Sequence, residues 1–188
     1  MSQKHKKDKI IIVDFGSQVT KLIARRIREN KVFSEILRPQ DLKKENISKN
    51  VKGIILSGGP ATVVGNKHPN ISKEVFNLNI PILGICYGLQ LIAKHFKGKV
   101  KSNIKKREFG RALLFSYKDS PLTKYFFNKK RSSVWMSHQD TVYKLPAGFT
   151  KIASTSESTM TIIENKKKNI YGIQFHPEIT HTDNGNII

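Results

Sequence analysis

Cys86 is the one cysteine among 188 residues, and it stands where a chain presents a nucleophile. The run Pro81-Ile82-Leu83-Gly84-Ile85 is apolar and strand-like, and Cys86-Tyr87-Gly88-Leu89-Gln90 reads on as a helix. Glycines two residues before and two after the thiol permit a sharp strand-to-helix turn that exposes the side chain. At a helix start, free N–H groups and the positive dipole end favour thiolate over thiol. The competing reading is an inert core thiol, since free cysteine is among the most buried residue types.

A cysteine nucleophile needs a base and a group to orient that base. Both are offered near the other end of the chain, in Asn169-Ile170-Tyr171-Gly172-Ile173-Gln174-Phe175-His176-Pro177-Glu178. An imidazole at His176 can take up a thiol proton and return it to a leaving amine, while a carboxylate at Glu178 fixes the ring's tautomer. Pro177 biases His176 towards an extended conformation, which projects His176 and Glu178 to one side.

These groups must be brought together by a scaffold, and the pattern of the chain predicts a parallel α/β sheet. Ile10-Ile11-Ile12-Val13 is a β-branched run that reads as a buried parallel strand. Ser17 to Asn30 places Val19, Leu22, Ile23 and Ile27 at helical spacing, with Lys21, Arg25, Arg28 and Glu29 opposite. Phe33 to Leu37 is the next strand, and Gly53-Ile54-Ile55-Leu56 runs directly into Ser57-Gly58-Gly59-Pro60. Asp14, Gly59, Cys86 and His176 each follow an apolar strand, so they are expected to converge on the carboxyl edge of one sheet. From Lys99 to Ser116 alternation weakens, and Arg107 to Tyr117 is a candidate antiparallel strand region beside the main sheet. Further short strands are expected around Val134-Trp135-Met136, Thr150 to Ser154 and Met160 to Glu164, with a hairpin turn at Asn165 to Asn169.

Taken together, the motifs make the chain resemble the class I (triad) glutamine amidotransferase domains, whose Gly-x-Cys-x-Gly elbow and terminal His-Pro-Glu are both present. Within that family the resemblance is greatest to the glutaminase domains of GMP synthases. It is carried by Asp14-Phe15-Gly16-Ser17-Gln18, Ser57-Gly58-Gly59-Pro60, Trp135-Met136-Ser137-His138 and His176 to Thr182, and by Tyr87 after the cysteine where related glutaminases usually have Leu. The resemblance implies an open, mostly parallel, flavodoxin-like sheet flanked by helices, with a smaller antiparallel portion. It implies glutamine as substrate, Cys86, His176 and Glu178 as catalytic triad, and the backbone N–H groups of Gly59 and Tyr87 as the oxyanion hole. Gln90, one helical turn after Cys86, is expected to face the same pocket. Gly58 and the segment Ser137, His138 and Gln139 are the other implied glutamine contacts. The chain departs from the pattern at Gln139, where Gly is more usual, at Val19, where Tyr is common, and at Ala61-Thr62 after Pro60.

The same resemblance implies a partner: a synthetase domain or subunit that uses ATP and Mg to activate XMP and aminates it with the ammonia released here. Residues 1–9 read as a basic tail and 10–188 as the amidotransferase domain, with the synthetase outside this sequence and a homodimer formed through that further region. The chain's ending, Asp183 to Ile188, suggests a fragment of a longer synthetase. The alternatives are the glutaminase component of another amidotransferase, a stand-alone γ-glutamyl hydrolase, or a basic binding module with an inert thiol.

Composition limits these choices. A single cysteine excludes an internal disulfide, and the charged start leads into an apolar run far too short to span a bilayer, so a cytoplasmic setting is expected, with no membrane contact. The formal charge of +20 raises nucleic acid as a partner, yet the lysines fall in short groups such as Lys43-Lys44, Lys105-Lys106-Arg107, Lys129-Lys130-Arg131 and Lys166-Lys167-Lys168, without an aromatic-interleaved motif. They read as solvated surface, and nucleic acid is not expected. Asp14-Phe15-Gly16 matches the kinase triplet in letters only, since no catalytic loop precedes it. Ser57-Gly58-Gly59 is not followed by the Asp-Ser of a pyrophosphate loop, and no P-loop or dinucleotide fingerprint appears, so no cofactor is expected in this domain. His176-Pro177-Glu178-Ile179-Thr180-His181 departs from H-E-x-x-H, and its proline opposes the helix that zinc motif requires, so no metal is expected. His5, His68 and His95 are expected to play no chemical part.

Overall fold

A computed structural model describes residues 7–65, 67–102 and 107–188. Most of the basic tail with His5, and the pair Lys105-Lys106, lie outside the described residues.

The β-branched run after the tail forms β1 (Lys9–Val13), which pairs in parallel with β2 (Phe33–Leu37) on one side and β3 (Val51–Leu56) on the other. Beyond β3 lie β4 (Ile82–Ile85) and then β11 (Ile170–Ile173), both parallel to it. These five strands form the parallel half of a nine-stranded sheet ordered β2-β1-β3-β4-β11-β10-β9-β6-β7. The antiparallel half consists of β10 (Ile162–Asn165), β9 (Thr150–Ser154), β6 (Glu108–Ser116) and β7 (Arg131–His138). The expected turn between β10 and β11 is a short 3-10 segment, Lys166–Lys168, in which the Asn165 side chain accepts from the Lys168 N–H at 3.1 Å and Asn169 takes a left-handed conformation.

Helix α1 (Thr20–Glu29) connects β1 to β2, and α2 (Tyr87–His95) follows β4. Alternation along β1 assigns the two faces. Ile11 and Val13 join Ile54, Leu56 and the α2 residues Leu89, Leu91, Ile92 and Ala93 in one core. Ile12 turns to the other core with α1 residues Ile23 and Ala24, and with Ile85, Ile173, Met136 and Phe175. Both faces of the inner parallel strands are therefore covered, which is why β1, β4 and the end of β3 read as continuous apolar runs, while the edge strand β2 stays largely exposed.

Three local expectations change. The first helix begins at Thr20 and not at Ser17, because Ser17 to Val19 form a polar turn: the Val19 N–H donates to Ser17 Oγ at 3.2 Å, and Asp14 Oδ1 accepts from the Gly16 N–H and the Thr20 hydroxyl at 2.9 and 2.8 Å. Among the described residues the β3–β4 crossover carries only a 3-10 segment, Lys73–Asn77, since Pro60, Gly65 and Pro69 interrupt any longer helix. A two-stranded sheet of β5 (Lys99–Ser102) and β8 (Asp140–Lys144) was not legible, because both strands are short and polar and β5 is largely exposed.

Candidate active site

The glycines around Cys86 do a different job from the one their spacing suggests. Neither Gly84 nor Gly88 has a positive φ; Cys86 itself does, at φ 52° and ψ −102°. The glycines let α2 lie directly on the sheet. A Cβ on Gly88 would sit 2.2 Å from the Leu56 carbonyl oxygen, and one on Gly84 would sit 2.5 Å from the Gly88 carbonyl carbon. Gly172 on β11 likewise makes room for Leu89, whose Cδ1 would be 2.4 Å from an added Cβ. That close seat forces the turn at Cys86, which is held by its N–H donating to the Ile173 carbonyl at 2.8 Å. A non-glycine residue in so sparsely populated a region costs about 1–3 kcal/mol, which the surrounding packing must offset.

His176 and Glu178 follow β11 in a segment that bends at Gln174 and Phe175 and turns at Pro177 and Glu178, outside the sheet, in place of the extended conformation expected from Pro177. The segment is pinned by the His176 N–H donating to the Trp135 carbonyl at 3.0 Å, by Thr182 Oγ1 donating to the His176 carbonyl at 2.7 Å, and by Arg26 Nε donating to the Glu178 carbonyl at 3.3 Å. His176 Nδ1 is 2.8 Å from Glu178 Oε1, and both side chains are buried. Burial alone would depress the imidazole pKa. Hydrogen bonding to Cys86 and Glu178 outweighs it, and the His176 pKa is raised to about 10.

Cys86 and His176 line a cavity of about 620 Å³ at the carboxyl edge of the parallel strands, as the topology rule anticipates. Gly59, Gln90, Ser137, His138 and Gln139 line it too. Gly58 lies behind the reacting pair, where an added Cβ would be 3.3 Å from His176 Cε1 and 3.7 Å from Cys86 Cβ. Gly59 packs against the Phe15 backbone, its would-be Cβ 2.6 Å from the carbonyl oxygen. The Tyr87 side chain points away from the cavity, its ring 5.0 Å from that of Phe15 and its hydroxyl donating to the Pro69 carbonyl. Its N–H, in the first turn of α2, has no partner within the helix. Burial raises the Tyr87 pKa to about 12, which keeps the hydroxyl a donor. The Gln90 amide nitrogen donates to the Asp140 carbonyl at 2.9 Å, so this side chain ties α2 to β8 as well as lining the cavity.

Several lining residues were not singled out for the site from sequence. Ser17, Gln18 and Val19 come from the turn before α1, Phe109 from β6 and Trp135 from β7. Phe109 sits on an antiparallel strand far from the motifs in sequence, whereas Trp135 opens the Trp135-to-His138 motif without having been assigned to the site, and the sheet order brings both to the rim. Asp14 stays out of the cavity wall; its carboxylate organises the turn that presents Ser17 to Val19.

The arrangement can perform acyl transfer: a thiol in a strained turn, an imidazole that lines the same cavity and is paired with a carboxylate, and backbone donors after β3 and at the start of α2. The family model of class-I glutamine amidotransferases matches residues 11–188. A GMP synthase [glutamine-hydrolyzing] from Brachyspira hyodysenteriae is 49% identical over 179 residues, spanning 95% of this chain and 34% of its own length. The chain thus spans about a third of that relative. Among solved structures, a candidate GMP synthase component from Thermoplasma acidophilum superposes with a TM-score of 0.84 at 32% identity, over 97% of this chain and 90% of its own. A glutamine amidotransferase from Thermotoga maritima shares the fold at a TM-score of 0.76 and 24% identity, over 93% of this chain and 78% of its own. Elbow, cavity and family match converge, and the chain belongs to the class-I glutamine amidotransferase family.

Proposed function

We propose that this chain hydrolyses glutamine to glutamate and ammonia with Cys86 as nucleophile, His176 as acid and base, and Glu178 as the group that orients His176. The observation that carries this reading is the convergence on one cavity of a cysteine in a positive-φ turn and a buried His176–Glu178 pair 2.8 Å apart. With a pKa near 10, the imidazole holds the shared proton at neutral pH. Cys86 Sγ attacks the carboxamide carbon, and the oxyanion is met by the N–H groups of Gly59 and Tyr87. His176 gives its proton to the departing ammonia as the C–N bond breaks, leaving a γ-glutamyl thioester. It then takes a proton from water, whose oxygen attacks the thioester and releases glutamate and the thiolate. Gly58 backs the reacting pair. Gln90 holds the Asp140 carbonyl, and the wall from Ser137 to Gln139 receives the amino-acid end of glutamine.

The ammonia, in this reading, passes to a synthetase domain or subunit that aminates XMP to GMP at the expense of ATP, in the cytoplasm. The support is the naming of relatives such as the Brachyspira protein as GMP synthase. ATP and Mg belong to that partner in this reading, since Ser57-Gly58-Gly59 is not followed by the Asp-Ser of a pyrophosphate loop. A homodimer forms through the same further region, and no helix among the described residues is long and apolar enough to cross a membrane.

The direct test is the intact mass of the chain after treatment with a diazo-ketone analogue of glutamine, with Cys86→Ser in parallel. A single adduct that is lost in the variant is expected. An adduct that survives the substitution, or none in a wild-type chain whose thiol reacts with iodoacetamide, would sink the reading.

A further inference from the structure

A buried polar pair, of which one member reaches the cavity wall, takes no chemical step in the proposed reaction. Glu108 opens β6, His138 closes β7, and the two are register partners across the hairpin. Both are more than nine-tenths buried. His138 Nε2 is 3.1 Å from Glu108 Oε2, and Glu108 Oε1 accepts from Thr155 Oγ1 at 2.7 Å. On the other side of the ring, His138 Nδ1 is 3.1 Å from the Asp140 carbonyl.

The same Asp140 carbonyl accepts the Gln90 amide at 2.9 Å, and the Asp140 carboxylate accepts the Thr62 hydroxyl. A continuous chain of hydrogen bonds therefore runs from Thr155 through Glu108, His138 and Asp140 to helix α2 and to the loop that follows Gly59. It crosses the bend at Gln139, the exposed residue between β7 and β8, and it ends beside the nucleophile, where the Ser137 carbonyl is 3.7 Å from Cys86 Sγ. Burying a carboxylate and an imidazole costs desolvation that an apolar pair would not incur. Here every polar atom of the pair has a partner, so the bend is held in one geometry relative to α2.

We infer that Glu108 is a positioning residue for the substrate site: acting through His138, it holds the Ser137-to-Asp140 wall in the shape that grips the amino-acid end of glutamine. The inference rests on the glutamine reading above.

The test uses the whole chain and two thiol reagents. Iodoacetamide reports the reactivity of Cys86, whereas the diazo-ketone analogue must also be gripped by its α-amino and α-carboxylate groups. Glu108→Ala is expected to raise the KI for the diazo-ketone by about tenfold or more, because the wall loses its anchor. Its limiting alkylation rate and its iodoacetamide rate stay within about twofold of wild type, since the triad is untouched. Glu108→Gln, whose amide can donate to Nε2 and accept from Thr155, brings KI back to within about threefold. Thr155→Val, which strips one bond from Glu108, raises KI by a smaller factor and serves if Glu108→Ala does not fold. An unchanged KI in Glu108→Ala or, in its place, Thr155→Val overturns the inference, and so does a parallel fall in iodoacetamide reactivity. A wild-type chain that takes iodoacetamide but shows no saturation with the diazo-ketone refutes the glutamine reading itself, before any variant is compared, and the inference with it.

Discussion

The Glu178 carboxylate counteracts the desolvation of His176, and that balance gives the pair a definite pH behaviour. Burial lowers the imidazole pKa, while Cys86 and Glu178 raise it to about 10, above the ~6.5 of an unfolded chain. A raised folded value means stability that is fully present below ~6.5 and is lost as pH rises through about 10. Glu178→Gln should therefore lower the His176 titration midpoint, read from its ring resonances by NMR, and the stability gap to wild type should shrink as pH rises. The same change should cut glutamine turnover by about 10²–10⁴-fold, as loss of the orienting carboxylate does in other triads. A His176 that titrates unchanged would remove Glu178 from its role. Tyr87 allows a second prediction at this scale. Its hydroxyl donates to the Pro69 carbonyl and lies 3.4 Å from His68 Nδ1. Tyr87→Phe keeps the ring on Phe15 but should cost about 1–2 kcal/mol. Hydrogen exchange should quicken in residues 67–71, and uniform protection there would count against a tether.

Helix α2 is the element on which the site depends, because its first residues follow the nucleophile and its glycine contact with β3 sets its distance from the sheet. Gly88→Ala would drive a methyl into the Leu56 carbonyl at 2.2 Å. The expected loss is about 1–3 kcal/mol in urea unfolding, with alkylation of Cys86 slowed because the elbow must shift. A neutral substitution there would mean that α2 is seated by its apolar residues alone. Its apolar run and the glycine pattern were legible in sequence, yet the division of labour between them was not: spacing suggests that glycines supply the unusual backbone, whereas Cys86 bears it. Strands β1 and β4 could be read because they lie inside the sheet and their apolar runs are unbroken, and β2, although an exposed edge strand, because Phe33, Ile36 and Leu37 are strand formers stopped by Pro39. Strands β5 and β8 could not, since pairing with each other is what makes those short polar segments strands.

For the whole molecule, the charge of +20 is spread over a surface whose ion pairs, among the described residues, are mostly peripheral, such as Arg25–Glu29 at 2.9 Å and Arg38–Asp41 at 2.7 Å. Such pairs contribute little to stability. The chain accounts for about a third of the length of its GMP synthase relative, so the proposed ammonia has its acceptor outside this sequence. Ammonia released without an acceptor is glutamine lost. Turnover should accordingly rise about tenfold when the synthetase is supplied with XMP and ATP, a coupling of ordinary size. Equal rates with and without them, measured as glutamate released, would argue against coupling.

By itself the sequence determined which chemistry to expect and where the parallel strands lie along the chain. A thiol between glycines, a His-Pro-Glu after a strand, and β-branched runs are local patterns, and local patterns survive in one dimension. Tertiary structure alone decided what surrounds them. The antiparallel strands bring Phe109 and Trp135 to the rim and Glu108 beneath His138, and the β8 backbone claims the Gln90 amide. Those contacts join residues tens of positions apart. Their geometry comes from strand order and register, which no spacing within a single segment encodes.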